Sequence, residues 1–435
     1  MKRISTDNWS LATKNNFKST KLKVVSLCSF GHLLELYDYT LFAVMISIIS
    51  TKFFPAENPN VSIVLGFLSF AVSFIFAALG SIFWGWYGDK FGRRKMLNFS
   101  MLIMSIPSLI ISILPTYDQI GIFAPLILIM ARILQGISAS GEIKGAKIYA
   151  MEISDNSQLG FISGLLTAAG GIGVLFAMLM GYLVSISDYE HAWRIPFLIG
   201  SIIGYVGLKI KKTHHDTNPP IVEEKNIQKK ILITDLPKII KSYKMESACV
   251  FSLGAVLGIL SYTLHAFMNP FLISQGFNTT DVYALGILAL LSTASSSILA
   301  GLYHDYFKKP FNIMQTNLIS MIMLIIPSFM LIENNLPYLN YLAFIILGAL
   351  LGVNATICSI VMFKSFPYEV RCRGVMFLYA LSVSIFGGFT PLTLNFLAKY
   401  DFDLPGIAIT FMLLIFLSLY SFSSQKMVKK DATLS

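Results

Sequence analysis

The sequence predicts an all-α membrane protein of twelve transmembrane helices in two six-helix bundles, and three observations carry that prediction. Of its 435 residues, 55% are hydrophobic and 13% are charged, far below the roughly 25% charged share of a soluble chain. Twelve apolar stretches, six before and six after a polar interval, are each long enough to cross about 30 Å of hydrocarbon. A basic turn also recurs. At a constant offset of 216 residues, Gly85, Tyr87, Asp89, Phe91 and Arg93 map onto Gly301, Tyr303, Asp305, Phe307 and Lys309, as an internal duplication would leave them.

In chain order, a polar tail at 1–23 precedes an N-terminal bundle at 24–210, with spans placed at 24–50, 61–86, 96–115, 121–150, 158–186 and 191–210. A linker at 211–245 contains His214, His215, Pro219 and Pro220. The C-terminal bundle at 246–423 has spans at 246–273, 280–302, 312–332, 337–363, 374–399 and 404–423, and a tail follows at 424–435. Helix is the state in which an isolated span satisfies its own backbone hydrogen bonds, and no run shows the alternation of a membrane barrel.

The basic residues set the orientation. Of 33 Lys and Arg, 27 fall in the two tails, the linker and the loops of one side, against Lys52, Arg194 and Lys399 on the other. Both termini are therefore expected in the cytoplasm. Arg132, Lys144 and Lys147 belong to neither side. The net charge of +10 follows from this topology and from contact with anionic lipid, so no nucleic-acid partner is implied.

Other classes find no support in the sequence. The first 23 residues lack the short apolar segment and cleavage site of a removable signal, so the first span is expected to act as its own signal. Cys28, Cys249, Cys358 and Cys372 are scattered, without metal-ligand or disulfide spacing. His214 and His215 read as solvated linker residues, and no metal or cofactor is expected. There is no GxxxxGK[ST] run for an ATP-driven pump, and no nucleophile and base pair for an enzyme. Residues 423–435 are too short and polar for a coiled coil of about three or four heptads. Lys426, Lys429 and Lys430 are expected to rest against anionic headgroups.

Charges within the spans mark the functional candidates, because an ionised group at the bilayer centre costs about 2.5–3.5 kcal/mol on insertion scales unless it has a partner or an aqueous cavity. In the first span His32, Glu35 and Asp38 recur every three residues, which keeps them near one helical face. Two carboxylates on that face make one a candidate for reversible protonation, and structural capping by a neighbouring helix is the competing reading. In the fourth span Arg132, Gln135, Ala139 and Glu142 form a polar stripe. Arg132 suits a substrate carboxylate through its planar fork, or equally an interhelix bond to Glu35 or Asp38. Small residues at Gly141/Gly145, Gly160/Gly164 and Gly173/Ala177/Gly181 are expected to draw the fourth and fifth helices together. Gly387-Gly388 with Pro391 predicts a bent eleventh helix. Tyr37, Phe42, Tyr262, Phe386 and Phe389 are candidates for lining a cavity.

The turn Gly85–Lys95 resembles the cytoplasmic signature of the major facilitator superfamily. The segments 31–39, 132–136, 141–146, 193–197 and 386–391 resemble, in order, its metabolite:proton symporters, typified by the proline/betaine transporter. The resemblance implies a bacterial inner-membrane protein with a central cavity open alternately to each side, taking up a small organic solute with protons. By that resemblance Glu35, Asp38 and Glu142 are expected to couple protons, with Arg132, His32, Tyr37 and Gln135 at the solute. Asp89, Arg93, Arg94, Asp305 and Arg371 are expected at the cytoplasmic gate. The solute would be a proline- or betaine-like zwitterion or a carboxylate. An exchanger or efflux relative, or a non-transporting sensor on the same scaffold, are the alternatives. Several positions depart from the family pattern. His32 and Leu36 stand where relatives usually have Asn and Trp, which removes an aromatic face for a quaternary ammonium, and Leu159 stands where the family often has Arg. The fifth span lacks the Gly-Pro signature of antiporters, which favours symport.

Overall fold

The computed structural model describes residues 6–57, 59–202, 232–333, 336–398 and 400 and, between 406 and 420, all but 408, 411 and 418. Among these residues the regular structure is helical and no strand occurs. The first half contains α1 (Thr6–Val44), α2 (Ile46–Phe53), α3 (Pro59–Phe91), α4 (Arg93–Ile113), α5 (Tyr117–Ile120), α6 (Phe123–Glu142), α7 (Gly145–Glu152), α8 (Leu159–Ser185) and α9 (194–202). The second half contains α10 (Leu236–Ser242), α11 (Lys244–Tyr262), α12 (Met268–Ser274), α13 (Thr279–Phe307), α14 (Pro310–Glu333), α15 (Pro337–Ser365), α16 (Arg371–Ser382), α17 (Gly388–Leu397) and α18 (406–420).

Nine helices are long and apolar enough to cross a membrane, and a bent pair makes a tenth among the described residues. The sixth and twelfth expected spans run into positions outside the described set, as do His214, His215 and the tail lysines. Two expectations need correction in detail. Helix α1 begins at Thr6, so much of the polar tail continues the first helix. The first span is also not one rod, because the chain bends by 60° at Met45 between α1 and α2.

The interruption expected in the eleventh span is present as a π turn. A π-helical turn at Val383–Gly387 joins α16 to α17, and the Thr390 hydroxyl donates back to the Phe386 carbonyl. A second π turn, Thr263–Phe267, joins α11 to α12, and Pro270 follows it without the N–H that would bond the Ala266 carbonyl. The two interrupted helices pack together at a tight point, where a Cβ on Gly387 would come 2.8 Å from the Tyr262 ring and 3.2 Å from Gly258 Cα.

The glycine expectation is corrected as well. Gly160 and Gly164 of α8 do not meet the fourth span but lie against the backbone of Gly301 and Ser297 in α13, across the interface between the halves. Gly173 lies against the Leu33 carbonyl of α1, while Gly141 and Gly145 face Trp84 and Met96. Close approach therefore occurs where a glycine meets bare backbone, both within each bundle and between the bundles.

Candidate solute cavity, proton relay and gate

A central cavity of about 220 Å³ lies between the two halves. Its wall combines His32, Tyr39, Lys144 and Lys147 of the first half with Tyr262 and His265 of the second. The chain departs from regular helix at Ile143–Lys144, between α6 and α7, and both residues line this cavity. Of the four residues expected at the solute, His32 lines it, whereas Tyr37, Arg132 and Gln135 are not among the described lining residues. Tyr37 instead donates to the Pro196 carbonyl at 2.9 Å, pinning α9 to α1.

The three carboxylates expected to couple protons come together. Glu35 and Asp38 of α1 and Glu142 of α6 are all buried and line one small cavity of about 30 Å³ within the first bundle, closed by Met101, Met104 and Gly200. Ser100 donates to Glu142 at 3.0 Å. Ser108 lies 2.5 Å from both oxygens of Asp38, and Gln135 Nε2 donates to Asp38 Oδ2 at 3.2 Å.

Arg132 extends this pocket toward the central cavity. Fully enclosed, it donates to Gln135 Oε1 at 2.6 Å and to Ser73 Oγ at 3.1 Å. Its guanidinium lies 4.2 Å from the Phe42 ring centroid and 5.2 Å from that of Phe70. Ser73 Oγ lies 3.3 Å from the Tyr39 hydroxyl, and Tyr39 lines the central cavity. An unbroken polar path thus runs from Asp38 through Gln135, Arg132 and Ser73 to Tyr39. A second link is shorter, with His32 in the central cavity and its Nδ1 3.6 Å from Glu35 Oε2 in the small one.

At the end carrying residues 88–95 the halves are tied by ion pairs and helix caps. Asp89 accepts from the backbone N–H groups of Cys372 and Arg373, both at 3.2 Å, and from Arg373 Nε at 2.9 Å. Arg93 lies 3.3 Å from Asp89, donates to the Tyr368 carbonyl at 2.7 Å and pairs with Glu152 at 3.0 Å. Glu152 also pairs with Arg371 of the other half at 2.9 Å. Arg94 is half-buried beside this network. In the repeat, Asp305 accepts from the N–H groups of Gly160 and Phe161 at 2.7 and 2.8 Å, with His304 Nδ1 at 3.1 Å. Each aspartate therefore caps a helix start of the opposite half, α16 or α8, where free N–H groups and the positive helix end favour a carboxylate.

Sequence reasoning missed Glu152, Arg373, Ser108, Ser73 and the paired lysines as site residues. Arg373 and Glu152 read only as loop charges, and the serines gave no signal until their helices were seen to face Asp38 and Arg132.

The family model described as Major Facilitator Superfamily matches residues 28–391. The chain belongs to the Major Facilitator Superfamily. It is accordingly a multi-pass membrane transporter rather than an enzyme. This superfamily member is 28% identical over 422 residues to the proline/betaine transporter of Salmonella typhimurium, covering 93% of this chain and 83% of the relative. It is likewise 28% identical over 396 residues to the putative proline/betaine transporter of Staphylococcus aureus strain MSSA476, covering 88% and 83%. Among solved structures, the proton:xylose symporter XylE bound to 6-bromo-6-deoxy-D-glucose superposes with a TM-score of 0.73 at 16% identity, covering 95% of this chain and 96% of that one. A partially occluded, inward-open form of XylE from E. coli superposes with a TM-score of 0.67 at 15% identity, covering 94% and 98%. These structures share the superfamily fold with this chain.

Proposed function

We propose that this protein imports a small organic solute together with protons, by alternating exposure of the central cavity, in a bacterial inner membrane with both termini cytoplasmic. The observation that carries this reading is the polar path from the buried Asp38 pocket to Tyr39 at the cavity wall. A proton held among Asp38, Glu35 and Glu142 has no direct contact with a solute in the cavity. The path gives the two a shared set of hydrogen bonds, so occupancy of one changes the cost of the other. Arg132, Gln135 and Tyr37 act here as links and supports, and the solute meets Tyr39, His32 and the residues facing them. Transport of a small organic solute is also what relatives named proline/betaine transporter suggest, and a neighbour sharing the fold is named proton:xylose symporter.

The drive is adequate. One proton moving through about 100 mV carries about 2.3 kcal/mol, enough for a roughly fiftyfold gradient of a neutral solute, and a negatively charged solute needs further protons to balance its charge. The hypothesis is tested in proteoliposomes with an imposed proton gradient. Asp38→Asn and Glu35→Gln are expected to remove gradient-driven accumulation in at least one case while solute exchange persists. Unchanged accumulation in both would sink it.

A further inference from the structure

Lys144 and Lys147 are the basic residues that neither the topology nor the gate uses. Both line the central cavity, at 3% and 5% exposure. Lys147 Nζ donates to Thr167 Oγ1 at 2.8 Å and to Ser359 Oγ of the opposite half at 3.4 Å. Lys144 Nζ reaches the same Ser359 oxygen at 3.5 Å and lies 4.0 Å from the Tyr379 ring centroid. Because both approach one oxygen this closely, the two ammonium groups lie within twice that distance of each other. Neither has a carboxylate within ion-pair distance among the described residues, and the described cavity wall contains His32 and His265 but no Asp or Glu.

Two buried amines with only hydroxyl and ring partners are costly to keep charged, and a counter-charge is what normally repays such burial. Here the open side of the pair is the cavity itself. A quaternary ammonium placed there would be repelled by both lysines, even though Tyr39, Phe70, Phe74, Tyr262 and Tyr379 give the wall rings. A zwitterion brings no net charge to balance them. An acid with two carboxylates does, and can bond the first half's lysines and the second half's Ser359 at once. We propose that the central cavity takes a small dicarboxylate, its two negative charges matched by the Lys144/Lys147 pair. This rests on the reading of the protein as a solute–proton symporter and narrows the cargo.

The test uses the full chain, with succinate as the dicarboxylate probe and glycine betaine and proline as comparison solutes. Binding is read in detergent by thermal stabilisation, and transport is read in proteoliposomes under a proton gradient. Succinate is expected to stabilise the protein, with its apparent affinity reduced about tenfold or more in Lys144→Gln and in Lys147→Gln, while Lys144→Arg and Lys147→Arg retain most of it. Betaine is expected not to compete. Absence of stabilisation by succinate in the unaltered protein overturns the proposal, which keeps it falsifiable even where a Gln variant fails to fold. So does succinate binding unchanged in the Gln variants. Proton-driven accumulation of betaine that excess succinate leaves intact also overturns the dicarboxylate assignment but upholds symport. Lysine-dependent succinate binding without proton-driven uptake upholds the assignment and overturns symport.

Discussion

Asp89 and Asp305 hold matching places in the two halves and keep different company. Both accept two backbone N–H groups from the opposite half, but Asp89 also meets the guanidinium groups of Arg373 and Arg93, whereas Asp305 has His304 beside it. An asparagine still accepts from N–H groups and loses only the charge. Asp89→Asn is therefore expected to slow uptake about tenfold or more, equivalent to about 1.4 kcal/mol, with Asp305→Asn much milder. Initial rates normalised to inserted protein decide this, and equal or reversed slowing refutes the asymmetry. Tyr39→Phe makes a second single-residue test. It removes the hydroxyl that ends the polar path but keeps the edge-on ring contact with Phe74 at 5.7 Å. Gradient-driven accumulation is expected to fall further than solute binding in detergent; equal losses would make the hydroxyl a solute contact with no part in coupling. At this scale the sequence marked the charges inside apolar runs at Glu35, Asp38, Arg132 and Glu142 but passed over Lys144 and Lys147. It was silent on Ser73, Ser108 and Ser359, because a serine becomes functional only through what faces it.

Among elements, α8 and α13 meet across the two halves closely enough to restrict movement. Gly160 and Gly301 meet backbone to backbone, so a side chain at either clashes with main chain, which cannot swing aside. Gly301→Val is expected to hold this end of the interface apart, lowering the uptake rate severalfold while leaving the amount of inserted protein near normal. The readout is solvent access to labels near residues 160 and 303, and unchanged access with unchanged rate would show that the interface adapts. The spans themselves were readable because length and hydropathy set them. Gly387, Gly388 and Pro391 announced one interruption through missing side chains and a missing donor. The π turn at Thr263–Phe267 had only Pro270 just beyond it as a mark, since one extra residue in a turn leaves the apolar pattern of a buried helix intact. The helical stretch from Thr6 escaped notice for the opposite reason, as a polar run carries no membrane-length hydropathy.

For the whole molecule, the polar ties between halves concentrate at the end bearing Asp89 and Asp305, with Glu152 joined to Arg93 of its own half and Arg371 of the other. Removing one partner of a largely buried ion network costs about 3–5 kcal/mol in typical cases, which is enough to change which end of the cavity is shut. Glu152→Gln is expected to favour opening there, and Cys372, fully buried under Asp89, supplies an internal reporter. Its alkylation, followed by mass spectrometry, should speed up severalfold in the variant; an unchanged rate would mean that the two caps hold the gate without the ion network. The duplication behind this arrangement was visible in five repeated residues, but the crossing of partners was not, because it depends on how the halves dock. That crossing constrains inheritance. Each half carries one acid and one receiving helix start, so a mutation at codon 89 is felt 283 and 284 residues downstream, and the two copies of the ancestral gene have had to drift in step. A hybrid joining this first half to a distant relative's second half would retain only those closures that both lineages still spell alike.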